Sequence, residues 1–121
     1  MALEHPAGQQ AQIRIRPFED TNPIEMVPGV HRRTLVSGDR QTLVRFELAE
    51  GGAVPEHTHP HEQAGTVITG RMRFRIGDHE AEVAPGGSYL IPGNVPHSAV
   101  ALEPSVLVEV FAPVREEFAR D

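Results

Sequence analysis

Alternation of apolar and polar residues runs through most of this chain. The clearest example is the segment 42–48, in which one face of an extended chain carries Thr42, Val44, Phe46 and Leu48 and the other carries Leu43, Arg45 and Glu47. Because successive side chains of a β-strand point to opposite faces, this pattern predicts a half-buried strand. Eight further strands are predicted from similar extended runs, at residues 31–36, around 57, 64–69, 71–76, 79–83, 89–91, 99–102 and 105–111.

Glycine and proline mark the boundaries between these segments. The chain contains 11 Gly and 11 Pro but one Tyr and no Trp, and turn-forming clusters such as Ser37-Gly38-Asp39 separate the strands. A helical stretch is predicted only after Pro113, at residues 114–120. Short strands in this number, with a helix only at the end, are typical of an antiparallel sandwich or barrel. The fold class predicted is therefore all-β.

Two alternating segments leave more than one interpretation open. The segment 13–16, Ile-Arg-Ile-Arg, can pair at a sheet edge or with a neighbouring subunit. The segment 71–76 sets Arg71, Arg73 and Arg75 opposite three apolar residues. If this arginine face points outward it is solvated or faces a subunit, and if it points into the barrel it can bind an acidic ligand.

Length and charge limit the classes of function. A chain of 121 residues is long enough for one core without disulfides, and it has no cysteine that could form them. The net charge of -6 gives no reason to expect binding to nucleic acid or to an anionic membrane. No apolar run approaches about 18 residues, the length that spans a bilayer. We therefore expect one soluble, cytoplasmic domain over residues 1–121, with a core at about 30–112, an N-terminal arm at 1–29 and a helical cap at 113–121.

The stretch 51–70 has the features of half a metal site. His57 and His59 are two residues apart, so in an extended strand their side chains point the same way and can bind one ion. Gln63 can offer a carbonyl oxygen to the same ion. Imidazole binds several divalent first-row metals, so these three ligands do not identify which metal is bound. The alternative interpretation of a lone His-x-His pair is a solvated polar edge.

The second half follows at residues 86–97. Gly and Pro flank a short apolar run, Tyr89 to Ile91, and a turn then brings His97 to the start of the next extended segment. A third histidine can therefore converge on the first two.

Together the two stretches resemble the paired motifs of the cupin superfamily, Gly-x5-His-x-His-x3-Glu-x6-Gly and Gly-x5-Pro-x-Gly-x2-His-x3-Asn. The positions that match are Gly51, His57, His59, Gly70, Gly86, Pro92 and His97. Three positions differ from these motifs: Gln63 replaces Glu, Asn94 replaces Gly and Ala101 replaces Asn. The resemblance, to single-domain cupins of the cupin_2 type, implies an antiparallel jelly-roll β-barrel.

The same resemblance implies that His57, His59, Gln63 and His97 bind one divalent transition metal ion, with Zn, Ni, Fe, Mn and Co all open. Gln63 changes the electrostatics of such a site. Three neutral imidazoles and a neutral amide leave the ion its full double charge, which favours Lewis-acid chemistry on an anionic or enolic oxygen.

Three pieces of the chain, at 57–63, 92–101 and 108–118, are similar to the small KdgF-like cupins of pectin degradation, which open the ring of 4,5-unsaturated uronates. This resemblance implies a role in carbohydrate metabolism, Glu109 and Arg115 as catalytic residues, and Phe111, Tyr89 and Arg115 as substrate-binding residues. The acid of that family is usually Asp, so Glu109 is one methylene longer. The alternatives are a rim carboxylate paired with an arginine for Glu109 and a solvated helix charge for Arg115.

Two other functional classes stay open at this point. Fe(II) bound by three histidines can activate oxygen, as in cupin dioxygenases, and a cupin can also be a non-catalytic module that binds a sugar or a small acid. In each case the partner is a small molecule. We further expect a homodimer, with residues 13–16 contributing to the contact.

Overall fold

The computed structural model describes residues 12–121. The beginning of the predicted N-terminal arm, residues 1–11, lies outside this range. After a short 3-10 helix, Phe18–Asp20, the elements are β1 (Ile24–Val27), β2 (Val30–Ser37), β3 (Thr42–Leu48), β4 (Ala53–His57), β5 (Glu62–Ile76), β6 (His79–Val83), β7 (Ser88–Ile91), β8 (His97–Ala112) and α1 (Glu116–Ala119).

The strands form one antiparallel sheet in the order β1-β2-β3-β8-β5-β6, with β4 paired to β8 and β7 paired to β5. The all-β jelly-roll prediction is confirmed. Within residues 12–121 the hydrogen-bonded path is open, because β1 and β6 end it. β5 and β8, the two longest strands, pair along most of their length. No helix in the described range is long and apolar enough to span a membrane.

The predicted break at Gly70 is wrong, because β5 runs through it from Glu62 to Ile76. The pairing with β8 shifts register on both sides of Gly70, which has a φ of 89°. A Cβ there would lie 2.3 Å from the carbonyl oxygen of Pro104, so the position needs a glycine.

The predicted break at Glu103–Pro104 is wrong for the same reason, because β8 is continuous from His97 to Ala112. Arg71 pairs with Glu103 and Thr69 with Val106, so Pro104 lies opposite the irregular step at Gly70. A proline lacks the N–H that a regular ladder needs, and a bulge is where a strand tolerates it.

The N-terminal part of the described chain differs from the prediction in two ways. Residues 13–16 form no strand; Arg14 and Arg16 instead donate to the carbonyl oxygens of Ser37 and Thr34. A strand, β1, which was not among the predicted strands, lies in the predicted arm between Pro23 and Pro28 and pairs with β2.

The core lies between the curled faces of the sheet. Its buried members are Val30, Leu48, Val67, Met72, Phe74, Ala101 and Leu107. The arginines of residues 71–76 are exposed while Met72 and Phe74 are buried, so that arginine face points outward.

Residues 113–121 pack against the barrel, and we call this segment the cap. Its helix is a single turn, Glu116–Ala119, shorter than the predicted 114–120. Phe118 is 4 % exposed and packs with Val44 and Phe111. The cap is therefore held by packing and not by helix length.

Candidate metal centre

Three histidines meet at one end of the barrel interior. His57 is the last residue of β4 and pairs with His97, the first residue of β8. The ring centroids are 4.3 Å apart for His57–His97, 4.9 Å for His59–His97 and 5.5 Å for His57–His59. One nitrogen from each ring lies within 4.8 Å of the others. The predicted convergence of the three histidines is therefore present.

His59 reaches this cluster differently from what the sequence predicted. β4 ends at His57, so His59 lies in the loop 58–61 and not on the same strand face. Its carbonyl oxygen accepts a hydrogen bond of 2.8 Å from the backbone N–H of Asn94. Asn94 has a φ of 65°, and asparagine tolerates this left-handed region, which explains how it replaces the glycine of the motif. A loop anchored to the second motif thus places His59.

Each histidine is oriented by a backbone carbonyl on its Nδ1 side. The partners are Pro55 for His57 at 2.9 Å, His61 for His59 at 3.1 Å and Val95 for His97 at 2.8 Å. A carbonyl can only accept, so it places the proton of a neutral ring on Nδ1. The Nε2 lone pairs remain available to bind an ion, which is the usual arrangement of metal-binding histidines.

Two features of these residues fit a metal ion. His97 Nε2 is buried with no hydrogen-bond partner in residues 12–121. His59 has a carbonyl oxygen beside each ring nitrogen, because Gln63 Oε1 lies 3.1 Å from Nε2. A neutral imidazole can donate only one hydrogen bond, so a cation bound by both Nε2 and Oε1 resolves this conflict.

The protonation of the histidines agrees with this role. Burial lowers the pKa of His59 to about 4, with further lowering by the positive charge of Arg115 and by His97. Burial also lowers the pKa of His97. Both rings are therefore neutral at pH 7, as metal ligands must be.

A carboxyl group lies beside the histidines. Glu109 is 3 % exposed and shares the buried face of β8 with Phe111, as the alternation of that strand predicted. Tyr89 donates a hydrogen bond of 2.5 Å from its hydroxyl to Glu109 Oε2. Burial raises the pKa of Glu109, against the hydrogen bonds from Tyr89 and Gln63 and the charge of Arg115, which lower it.

These contacts fix the orientation of Gln63. Gln63 acts to lower the pKa of Glu109 as a hydrogen-bonding group, and a carboxylate accepts from the amide nitrogen and not from the amide oxygen. The oxygen therefore faces His59.

Gly65 makes this arrangement possible. A Cβ at Gly65 would lie 2.5 Å from the Tyr89 ring and 2.8 Å from the Glu109 side chain. Any larger residue would therefore displace one of the two.

A cavity of about 50 Å³ lies in the barrel next to this cluster. One wall is polar and includes His57, Gln63, His97, Glu109 and Arg115. The other wall is apolar and includes Phe46, Leu48, Met72, Phe74 and Leu107. The Arg115 side chain is 15 % exposed, with its guanidinium carbon 4.7 Å from the ring centroid of Phe111.

Comparison with known families identifies the chain. Residues 44–111 match the family model described as Cupin domain. The protein is a cupin. This stretch contains the three histidines, Gln63 and Glu109, so the cupin motifs and the geometry refer to the same site.

Known relatives agree with the assignment to the cupins. A Bacillus subtilis protein named H2HPP isomerase is 32 % identical over 83 residues, which are 68 % of this cupin and 35 % of that protein. The cupin thus aligns with about a third of that relative's length.

Solved structures also resemble this cupin. The structure of KdgF from Halomonas sp. has a TM-score of 0.81 at 24 % identity and covers 86 % of this chain and 98 % of its own. An RmlC-like cupin from Shewanella frigidimarina has a TM-score of 0.83 at 24 % identity, over 91 % and 99 %. Oxalate decarboxylase from Bacillus subtilis, described with Mn(II) centres, has a TM-score of 0.75 at 23 % identity, over 89 % and 32 %. At these identities the likeness concerns the fold.

Most of the predicted site residues lie together around one cavity. Gln63, Glu109, Phe111 and Arg115 line the cavity with His57 and His97. Tyr89 is not among the residues that line it in the described chain, and its predicted contact with substrate stays a prediction.

Arg32 is a residue that the sequence did not single out. It is 2 % exposed on β2 and contacts the cap. Its partner Asp121 is 89 residues away, so no local pattern could reveal the contact.

Proposed function

We propose that this cupin is a metal-dependent isomerase that opens the ring of a small sugar acid, a 4,5-unsaturated uronate, to a linear keto acid. The observation that carries the proposal is the position of Glu109. It is a buried carboxyl with a raised pKa that lines the same cavity as two of the three histidines. A metal site alone serves many functions, but a buried carboxyl group beside it favours proton-transfer chemistry.

In this proposal His57, His59 and His97 hold the ion and Gln63 supplies a fourth ligand. When bound, the ion acts as a Lewis acid on the oxygens of the substrate. The ligand set is neutral, so the double charge is not reduced by the protein.

Glu109 moves the proton of the reaction. Its carboxylate accepts the proton of the C1 hydroxyl while the bond from C1 to the ring oxygen breaks. The electron pair of that bond stays with the oxygen, giving an aldehyde at C1 and an enolic oxygen at C5. The same carboxyl then returns the proton to C4, and C5 becomes a ketone. No atom is gained or lost, because the same carboxyl serves first as the base and then as the acid.

Arg115 binds the substrate carboxylate. Its Nε–H donates to Glu117, while its two terminal nitrogens can each donate to one carboxylate oxygen. A volume of about 50 Å³ accommodates only the reacting end of a uronate, so the remainder lies toward the mouth of the cavity.

The apolar wall of the cavity supports a second candidate, the isomerisation of a small acid with an apolar body. The relative named H2HPP isomerase supports the isomerase class without fixing the substrate. A role in carbohydrate metabolism and a cytoplasmic location are parts of the uronate proposal, and both lose their support if that proposal fails.

The test is turnover of a 4,5-unsaturated uronate by protein loaded in turn with Zn, Ni, Mn, Co and Fe(II), followed by the loss of ultraviolet absorbance. We expect Glu109→Gln to lower turnover by about 100-fold or more while the metal stays bound. The matched control is Glu103→Gln, which removes an exposed carboxylate from the same strand. Full activity of Glu109→Gln would refute the proton transfer.

Other outcomes of the same assay identify the alternatives. Oxygen consumption with Fe(II) would favour the dioxygenase class. Saturable uronate binding without turnover by any metal form would favour a binding module. Turnover of apolar keto acids in place of the uronate would favour the second candidate.

The proposal includes a homodimer formed through residues 13–16. Ile13 and Ile15 are 86 % and 87 % exposed, which supports a contact with a second copy. Replacing both by Lys is expected to increase the elution volume in gel filtration, and an unchanged volume would exclude this segment as the contact.

A further inference from the structure

A buried arginine of the barrel forms an ion pair with the cap. The guanidinium of Arg32, on β2, donates 2.6 Å to Asp121 Oδ2 and 2.7 Å to Thr34 Oγ1. Of the two ion pairs that the cap makes in the described chain, only this one reaches the barrel, since the other joins Arg115 to Glu117 within the cap. A buried guanidinium needs its anionic partner, because an unpaired charge is costly in the interior.

Arg32 also contacts the cap through Phe118. Its guanidinium carbon lies 4.0 Å from the centroid of the Phe118 ring, and that of Arg115 lies 4.1 Å from the same centroid. One ring face does not accommodate two cations at this distance, so the two arginines occupy opposite faces. Thr34 Oγ1 donates to the carbonyl oxygen of Phe118 at 2.7 Å, which fixes the backbone at the same point.

We propose that Arg32 is a positioning residue, which holds Phe118 and Asp121 so that Arg115 stays at the cavity. The chain of contacts runs from β2 through the Phe118 ring to the Arg115 guanidinium. Arg32 does not line the cavity and touches no substrate; it acts through Arg115. The inference rests on the proposed function in one respect, namely that Arg115 binds the substrate carboxylate.

The same contacts explain why an arginine stands at this position. A planar guanidinium can stack on a ring and donate to two oxygens at once, whereas a lysine ammonium is a point charge that cannot stack. The thioether of Met26, 3.4 Å from Nε, completes the surroundings of the group.

The kinetic test compares Arg32→Met with Arg33→Met. Arg33 is the next residue of β2, and its guanidinium lies over Phe18 and pairs with Glu47, away from the cap. We expect Arg32→Met to raise KM for the 4,5-unsaturated uronate about ten-fold, the equivalent of one charge-assisted hydrogen bond, with kcat within about two-fold. Arg33→Met should leave both constants unchanged, and Arg32→Lys should lie between wild type and Arg32→Met.

A second readout does not depend on turnover. Phe118 and Ala119 donate their backbone N–H groups to the carbonyl oxygen of Arg115. We expect their hydrogen exchange to accelerate in Arg32→Met and not in Arg33→Met. The Nε–H resonance of Arg115, which reports the pair with Glu117, should shift in the first variant only.

The outcomes separate this inference from the proposed function. If no metal form turns over the uronate, the proposed function fails, and the exchange and resonance data alone decide whether Arg32 positions the cap. Unchanged exchange in Arg32→Met, or an equal KM increase in Arg33→Met, would overturn the inference. If Arg32→Met does not fold, Asp121→Asn tests the same contact, with the same direction expected and a smaller change.

Discussion

The barrel interior contains two regions that are almost equally buried and chemically opposite. In the apolar region, side chains such as Val30, Val67 and Met72 are 0–1 % exposed. In the polar region, around the three histidines, Gln63 and Glu109 are 7 % and 3 % exposed. The same strands carry both, since β5 contains Met72 and Gln63.

The difference lies in what burial does to each region. Removing apolar side chains from water stabilises the fold. Removing ionisable groups from water disfavours their charged forms, which lowers the pKa of His59 and His97 and raises that of Glu109. We infer that the apolar region stabilises the barrel, whereas the buried ionisable groups of the polar region serve the chemistry of the site and do not stabilise the fold.

The largest effect on stability is expected from the apolar region. Met72 is 0 % exposed, and Met72→Ala should lower the free energy of unfolding by about 2–5 kcal/mol. Denaturant titration measures this change. Metal content should be unaffected in the folded variant, and a loss of metal without a loss of stability would break the distinction between the regions.

Glu109→Gln should raise the stability of the metal-free protein, whereas Met72→Ala lowers stability. Because the folded protein raises the pKa of Glu109, this group favours folding at low pH and loses that contribution as pH rises through its folded pKa. Metal-free Glu109→Gln should therefore be more stable than metal-free wild type at pH 8 and similar to it below about pH 4. Urea midpoints at both pH values measure the difference. A variant less stable than wild type at pH 8 would contradict the assignment.

The lowered pKa of His59 predicts that the protein loses stability at acidic pH. His59 has a pKa of about 4 in the folded protein and about 6.5 when unfolded, so the unfolded chain binds more protons between these values. Metal-free protein should lose stability as pH falls from about 6.5 to 4. His59→Gln should reduce this slope, as measured by urea midpoints across the range. An identical slope in the variant would show that His59 is not the group responsible.

The smallest effect is expected at the outer surface. Arg73 is exposed on β5, between Met72 and Phe74, with its side chain on the opposite face of the strand. Arg73→Ala should leave the urea midpoint, the metal content and KM within experimental error. A raised KM would mean that the outer arginines contribute to substrate binding after all.

The periodicity of the sequence predicted much of the fold. The strand at 42–48 and the strand at 79–83 have the bounds that their alternation indicated. The breaks predicted at Gly70 and Pro104 were wrong because each residue is accommodated by the other across β5 and β8. The local sequence alone predicts a strand break at each of these residues, because it contains no information about the residue that faces it on the opposite strand.

The site was predictable to a similar degree. Motif spacing indicated that His57, His59 and His97 converge, and strand alternation placed Glu109 with Phe111. The contacts that tune Glu109 and hold the cap join residues far apart in sequence, such as Tyr89 with Glu109 and Arg32 with Asp121. Only the tertiary packing of the strands and the cap brings them together.

Metal content tests the central claim most directly. Elemental analysis should find about one ion per chain in wild type and in His79→Ala, whose side chain is exposed, and little or none in His59→Ala. Equal metal in all three proteins, or none in any of them, would contradict the assignment of the polar region as a metal centre.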